Sequence, residues 1–150
     1  MTPASFLAVD PGRVAGWAYW RLVNSVYTAI GAGIWIDPWE GTALYKGEAL
    51  LVIEAPHAGR SKATRADLVR MGIRTGTIKA LIGATMTVEV QPSQWKGSTP
   101  KEISHSCILG TLTPAERAIF DAIKGSKSTK GNALDAIGIG LWYARKVGAR

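Results

Sequence analysis

The sequence has a single cysteine, Cys107, and no long hydrophobic run. One cysteine excludes a disulfide within the chain, and this usage is typical of proteins from a reducing compartment. No apolar stretch approaches the roughly 18 residues that are needed to cross a bilayer. The first residues, Met1 to Ser5, also lack the basic segment of a secretory signal peptide. We therefore expect a cytoplasmic protein that does not enter a membrane.

Acidic residues are also scarce, because 11 Asp and Glu stand against 18 Lys and Arg and the net charge is +7. The positive charge is concentrated in residues 56–79 and 124–150, each of which carries six basic residues and one Asp. Such segments attract polyanions, and nucleic acid is the partner that they indicate. A basic surface that contacts only solvent is the alternative. His105 and Cys107 have no spaced partner pair, which argues against a zinc site.

The length of 150 residues fits one domain, over residues 1–150, with a hydrophobic core. Continuous apolar runs and β-branched or aromatic residues predict five strands, over residues 5–10, 16–23, 25–36, 49–54 and 86–90. Helices are predicted over residues 64–84, from Thr99-Pro100 with proline at the first helical position, from Thr113-Pro114 with a capping box to Glu116, and over residues 132–146 after a loop at 125–131. Hairpins mixed with crossovers indicate an α/β protein with a mixed sheet and helices on its faces.

Three acidic residues at separated places carry the chemical signal. Asp10 ends the apolar run Phe6 to Val9, Glu54 ends the run Leu50 to Ile53, and Asp135 lies in the apolar C-terminal helix. A carboxylate at the end of a buried strand is unfavourable unless its charge is compensated. Hard divalent ions prefer oxygen ligands, and Mg²⁺ is usually held by carboxylates together with phosphate oxygens. The pattern predicts a metal-dependent phosphoryl-transfer site, although a turn residue, a strand-end ion pair and a helix-start acid would explain each position separately.

The motifs Leu7-Ala8-Val9-Asp10-Pro11-Gly12, Val52-Ile53-Glu54 and Asn132-x-x-Asp135-Ala136 occur in this order along the chain. Together they resemble the RuvC-type Holliday junction resolvases of the ribonuclease H-like superfamily, and the small size is similar to compact phage or bacterial members. The resemblance implies a ribonuclease H-like mixed five-stranded sheet flanked by helices. It also implies that the first and fourth strands are neighbours and that the C-terminal helix crosses the sheet.

The family resemblance implies a set of roles. Asp10 would be shared by two Mg²⁺ ions (Mn²⁺ being a possible substitute), Glu54 would bind one ion, and Asp135 and residue 132 the other. The implied reaction is phosphodiester hydrolysis in a four-way DNA junction, carried out by a homodimer in a bacterial or phage-infected cell, with no small-molecule cofactor. The residues expected to contact DNA are Arg13, His57, Arg60, Lys62, Arg65, Arg74, Lys124, Lys127 and Lys130. His57 could equally be an ordinary surface histidine.

Position 132 departs from the family pattern, which has Asp or His where this chain has Asn132. Asn keeps a coordinating oxygen but lacks the negative charge that would help to hold a second cation. Two explanations are open: an Asp replaced by Asn in a catalytically weakened form, or a natural Asn that caps the helix after Gly131. Restoring Asp is expected to raise Mg²⁺-dependent cleavage sharply under the first explanation.

The predicted helix over residues 64–84 has Gly72, Gly76 and Ala80 at every fourth position. Such a stripe of small residues permits close approach of a second helix, which suits the dimer contact that the resemblance implies. Packing against the chain's own sheet is the alternative. Two other functions also remain open, a ribonuclease H-like nuclease that acts on RNA–DNA hybrids or flaps and a protein that binds junctions without cleaving them.

Overall fold

A computed structural model describes residues 2–57 and 64–150. Its centre is a five-stranded sheet, formed by β1 (Ser5–Asp10), β2 (Ala15–Val23), β3 (Val26–Trp35), β4 (Leu50–Glu54) and β5 (Met86–Val90). The spatial order is β3-β2-β1-β4-β5. The β1/β2 and β2/β3 pairs are antiparallel, whereas the β1/β4 and β4/β5 pairs are parallel. The mixed α/β sheet and the neighbouring first and fourth strands are therefore confirmed.

Six α-helices accompany the sheet within the described part of the chain: α1 (Pro38–Gly41), α2 (Arg65–Ile82), α3 (Pro92–Trp95), α4 (Lys101–Thr111), α5 (Pro114–Asp121) and α6 (Lys127–Lys146). The capping box predicted at the start of α5 is present, since the Thr113 hydroxyl accepts from the Glu116 N–H and the Glu116 carboxylate accepts from the Thr113 N–H. Pro100 lies at the N-cap of α4 and not at the first helical position.

The prediction of a loop over residues 125–131 was wrong, because α6 already begins at Lys127. The hydroxyl of Ser126 accepts a hydrogen bond from the Thr129 N–H and caps the helix. Asn132 therefore lies inside α6, and the explanation of Asn132 as a helix cap is excluded. The reason for the error is local: residues 127–132 contain no apolar side chain, so hydrophobic periodicity does not reveal the first turns.

Side chains of the central strands alternate between two cores, as the pleat of a β-strand requires. Phe6 and Ala8 of β1 belong to the core beneath α6, together with Leu134, Ile137 and Leu141 of that helix. Leu7 and Val9 belong to the core beneath α2, which contributes Ile78 and Ile82. Strand β4 follows the same rule, with Leu50 and Val52 on the α6 side and Leu51 and Ile53 on the α2 side.

Candidate active site

The alternation of side chains along β1 and β4 places two of the predicted carboxylates on one face of the sheet. Asp10 continues the series Phe6, Ala8 and lies at the last position of β1. Glu54 continues the series Leu50, Val52 and lies at the last position of β4. Strands β1 and β4 are parallel, and Val9 of β1 pairs with Ile53 of β4. Asp10 and Glu54 are the next residues after this pair on the two strands. The strands therefore deliver Asp10 and Glu54 side by side on the face that α6 covers.

Helix α6 reaches this face through a very close backbone contact with β2. A Cβ atom placed on Gly16 would lie 1.8 Å from the backbone oxygen of Asn132, so no residue with a side chain fits at position 16 without displacing the helix. The side-chain nitrogen of Asn132 also donates to the backbone oxygen of Val14, at 2.9 Å. These contacts fix the segment of α6 that carries Asn132 and Asp135, which lie three positions apart on one side of the helix.

The electrostatics of Asp10 show that the acidic groups converge. The pKa of Asp10 is raised from its ordinary value of 3.8 to about 8, mainly by burial and then by the negative charges of Glu54 and Asp135, against smaller opposing effects of Lys96 and Lys101. Burial also raises the pKa of Glu54, although the hydrogen bond from Trp95 opposes that effect. A group of carboxylates that repel each other in this way is stabilised by a bound cation.

Three contacts at this site involve residues that the sequence did not single out for it. The indole nitrogen of Trp95, at the end of α3, donates to Oε2 of Glu54 at 2.6 Å. On α4, Nε2 of His105 lies 2.8 Å from Oδ1 of Asp135, and the ammonium group of Lys101 lies 3.2 Å from Oδ2. The only available sequence signal was that Lys101 and His105 are four residues apart on a predicted helix, which places them on one side of it.

The donor chemistry of the site fits a hard divalent cation, because Asp10, Glu54, Asp135 and the amide of Asn132 all offer oxygen atoms. The carboxylates do not, however, surround a common point: within residues 2–57 and 64–150, no three His, Cys, Asp or Glu side chains are grouped closely enough to hold a metal ion. Asp135 is instead engaged with Lys101. The site thus fits a divalent cation in the type and charge of its ligands, and the ammonium group of Lys101 lies beside one carboxylate oxygen of Asp135.

The basic residues predicted to contact DNA lie in different situations. Arg13 is exposed in the loop that follows β1, and the guanidinium of Arg74 donates to the backbone oxygens of Gly12 (2.6 Å) and Arg13 in that loop. Arg65, at the start of α2, is exposed. His57 is exposed as well.

At the other end of the chain, Lys124 and Lys127 are exposed around the start of α6. The Lys130 ammonium group lies 5.0 Å from the centre of the Phe120 ring and 3.5 Å from the backbone oxygen of Asp121, so it is partly used in packing α5. Arg60 and Lys62 lie outside the described residues.

One side of α2 is exposed and apolar. Apart from the chain neighbours and the local backbone of α2 itself, no described residue lies within 4 Å of a Cβ placed on Gly72 or Gly76, and Ala80 is exposed. Val69 and Ile73 beside them are 60% and 64% exposed. The alternative in which the small-residue stripe packs against the chain's own sheet was therefore wrong.

The sheet order and the arrangement of helices correspond to a known class of α/β proteins, because the chain has a RuvC-like fold of the ribonuclease H-like type. No protein-family model matches the sequence, and no curated protein sequence is significantly similar to it. The fold implied by the three motifs is therefore confirmed by structural similarity, without support from a sequence match.

Two of the similar solved structures are those of the Thermus thermophilus protein RuvC. The first, RuvC by itself, is 13% identical with a TM-score of 0.59, and the match covers 97% of each chain. The second, RuvC in complex with a Holliday junction substrate, is 13% identical with a TM-score of 0.58, covering 97% of this chain and 98% of the other.

In the described part of this chain, no helix is both long and apolar enough to cross a membrane.

Proposed function

We propose that this protein is a structure-selective endodeoxyribonuclease that resolves four-way DNA junctions by metal-dependent hydrolysis of phosphodiester bonds. The observation that carries the proposal is the convergence of Asp10, Glu54 and Asp135, with the pKa of Asp10 raised to about 8 by burial and by its two acidic neighbours, on a RuvC-like fold. The RuvC structure in complex with a Holliday junction substrate supports the choice of DNA.

In this proposal the four side chains have distinct roles. Asp10, Glu54 and Asp135 hold Mg²⁺ through carboxylate oxygens, and the amide oxygen of Asn132 completes the set as a neutral ligand. The bound ions, two per site, supply charge stabilisation and an activated water. Asn132 adds no negative charge, so the affinity for a second cation is weaker than an Asp would give. Mn²⁺ substitutes for Mg²⁺ because both accept carboxylate oxygens.

The decisive assay is cleavage of a labelled four-way junction beside linear duplex and an RNA–DNA hybrid, with Mg²⁺ and with EDTA. We expect metal-dependent paired nicks confined to the junction, and their loss in Asp10→Asn and Glu54→Gln. Glu40→Gln, a change at an exposed carboxylate, is the matched control and should keep full activity. Preferential cleavage of the hybrid would contradict junction resolution, and tight junction binding without cleavage, even by Asn132→Asp, would contradict catalysis altogether.

The proposed DNA surface can be tested through the salt dependence of junction binding. Arg13 lies in the loop at the active-site end of β2, whereas Arg21 is exposed near the opposite end, where it pairs with Ser5 of β1. Each lost phosphate contact should reduce the slope of log K against log salt by about 0.9. We expect this reduction for Arg13→Gln, Arg65→Gln and Lys127→Gln but not for Arg21→Gln. Equal slopes in all four variants would refute the surface.

We also propose a homodimer, because a four-way junction requires two symmetric nicks. The exposed side of α2 defined by Val69, Gly72, Ile73 and Gly76 is the surface that we assign to it. Light scattering should give a dimeric mass for the wild type and a monomeric mass for Ile73→Asp. Val26→Asp, at a 45% exposed position on β3, is the control and should stay dimeric. A monomeric wild type, both alone and with junction DNA, would refute the dimer.

A further inference from the structure

The segment that follows β5 carries two side chains that reach back to the carboxylates of the site. Trp95 at the end of α3 contacts Glu54, and His105 in α4 contacts Asp135. In each contact, a ring nitrogen lies within hydrogen-bond distance of one oxygen of the carboxylate. We propose that Trp95 and His105 are positioning residues, each of which holds one oxygen of its carboxylate and so limits the movement that Glu54 and Asp135 would make on binding a metal ion. This inference rests on the function proposed above.

The contact at Glu54 is constrained from both ends. The indole N–H can only donate a hydrogen bond, so it fixes Oε2 as an acceptor at 2.6 Å. The indole ring itself is packed onto α6 at Gly138, where an added Cβ would lie 2.6 Å from Cζ3 of Trp95. Trp95 thus links α6 to the carboxylate at the end of β4. A glutamate side chain with three rotatable bonds loses freedom through this contact before any ion binds.

Two side chains, His105 and Lys101, contact Asp135, and they differ in how freely they can move. The His105 side chain is 18% exposed, and an added Cβ on Gly131 would lie 3.2 Å from its Cε1, so the ring is confined against α6. The Lys101 side chain is 55% exposed and can move into solvent. Because His105 contacts Oδ1 and Lys101 contacts Oδ2, His105 is the contact that fixes the carboxylate, and Asp135 would hold an ion through Oδ2 once the lysine has moved into solvent.

The physical consequence concerns metal affinity more than protein stability. Groups that hydrogen-bond to ligating side chains fix the ligand geometry, and their removal typically weakens metal binding or activity by about 10-fold to 100-fold. Trp95→Phe keeps an aromatic six-membered ring but removes the indole N–H, and His105→Leu removes the ring nitrogens. His105→Gln retains a nitrogen donor of similar reach, so it should rescue the defect of His105→Leu.

The experiment is Mn²⁺ binding to the full chain without DNA, measured by electron paramagnetic resonance of the free ion. We expect the Kd to rise about 10-fold to 100-fold in Trp95→Phe and in His105→Leu, and to stay within about three-fold of the wild type in His105→Gln. Trp142→Phe, a half-buried tryptophan of α6 that packs against the core, is the matched control and should not change the Kd.

Tryptophan emission on addition of diamagnetic Ca²⁺ provides a second readout. Since Trp95 contacts a ligand, we expect a Ca²⁺-dependent change in the wild type and in Trp142→Phe, and its absence in Trp95→Phe. Wild-type affinity in folded Trp95→Phe and His105→Leu would overturn the positioning roles alone. A wild-type protein that binds neither ion would instead overturn the metal centre of the proposed function, and this inference with it.

Discussion

Removal of the Asp10 charge should make the protein more stable while destroying its proposed site. Burial, followed by the charges of Glu54 and Asp135, raises the pKa of Asp10 from 3.8 to about 8. Between about pH 4 and pH 8 the folded protein therefore retains a proton that the unfolded chain releases. The unfolded state binds fewer protons across this window, so the free energy of unfolding falls as the pH rises and levels off above about pH 8.

The size of the effect follows from the same two values. An interval from 3.8 to about 8 corresponds to roughly 6 kcal/mol at most, since each pH unit is worth about 1.4 kcal/mol. Relaxation of the fold and entry of water reduce this limit, and we expect about 2 kcal/mol. Asp10→Asn keeps the shape of the side chain and cannot ionise. At pH 8 the variant should therefore be more stable than the wild type by about 2 kcal/mol, which for a chain of 150 residues raises the Tm by about 4–8 °C.

The assay is urea unfolding of both proteins from pH 4 to pH 9 in EDTA. We expect equal stabilities near pH 4, divergence as the pH rises, and a weaker remaining slope in the variant because the pKa of Glu54 is also raised. Glu40→Gln, an exposed carboxylate, should follow the wild type. A variant that is equally or less stable at pH 8, or two parallel pH profiles, would refute the reasoning.

Mg²⁺ should reverse the order of stability. An ion that binds only the folded state adds about 2.7 kcal/mol when its concentration is 100 times the Kd. At pH 8 the wild type should thus gain Tm with Mg²⁺, whereas Asp10→Asn should gain little, because it has lost the carboxylate proposed as the shared ligand. Equal gains in the two proteins would show that the ion binds elsewhere.

Three further changes test other parts of the fold. Gly16→Ala should lower the free energy of unfolding by about 3 kcal/mol in urea, because its Cβ would meet the backbone oxygen of Asn132 at 1.8 Å; a loss below about 1 kcal/mol would contradict the close contact. Arg150→Met should cost about 3 kcal/mol, since it leaves the buried Glu116 carboxylate without its partner at 2.6 Å, whereas exposed Arg145→Met should be neutral in the same measurement. Asn132→Asp should raise Mg²⁺-dependent junction cleavage sharply and lose about 1 kcal/mol with the hydrogen bond to the β1–β2 loop; unchanged cleavage would show that the missing charge is not limiting.

Much of the sheet could be predicted from the sequence because its signals are local. The apolar runs that end at Asp10 and Glu54 correspond to β1 and β4, and β5 has the predicted bounds of 86–90. Along each strand, successive side chains point to opposite faces of the sheet, and this local rule determines which face Asp10 and Glu54 occupy. The resemblance supplied the pairing of the first strand with the fourth, which no pattern within a single segment contains.

The contacts made by Trp95 and His105 could not be predicted in the same way. Trp95 is 41 residues from Glu54 in the sequence, and His105 is 30 residues from Asp135. Which side chains meet over such separations depends on how α3 and α4 pack on the sheet, and a helix of four residues such as α3 gives no periodic signal. The exposure of the small-residue stripe on α2 likewise depended on tertiary packing.

The pairing of a strand-end site with a late helix has a consequence for the order of events during synthesis. Asp10 and Glu54 are made early, but the helix that supplies Asp135 also covers the apolar face formed by residues such as Phe6 and Trp20. A nascent chain that lacks α6 therefore has neither the complete set of carboxylates nor a closed core. The proposed capacity to cut DNA and the resistance to aggregation would therefore arise together when α6 docks, and a product of interrupted translation would have an incomplete site and an exposed apolar face.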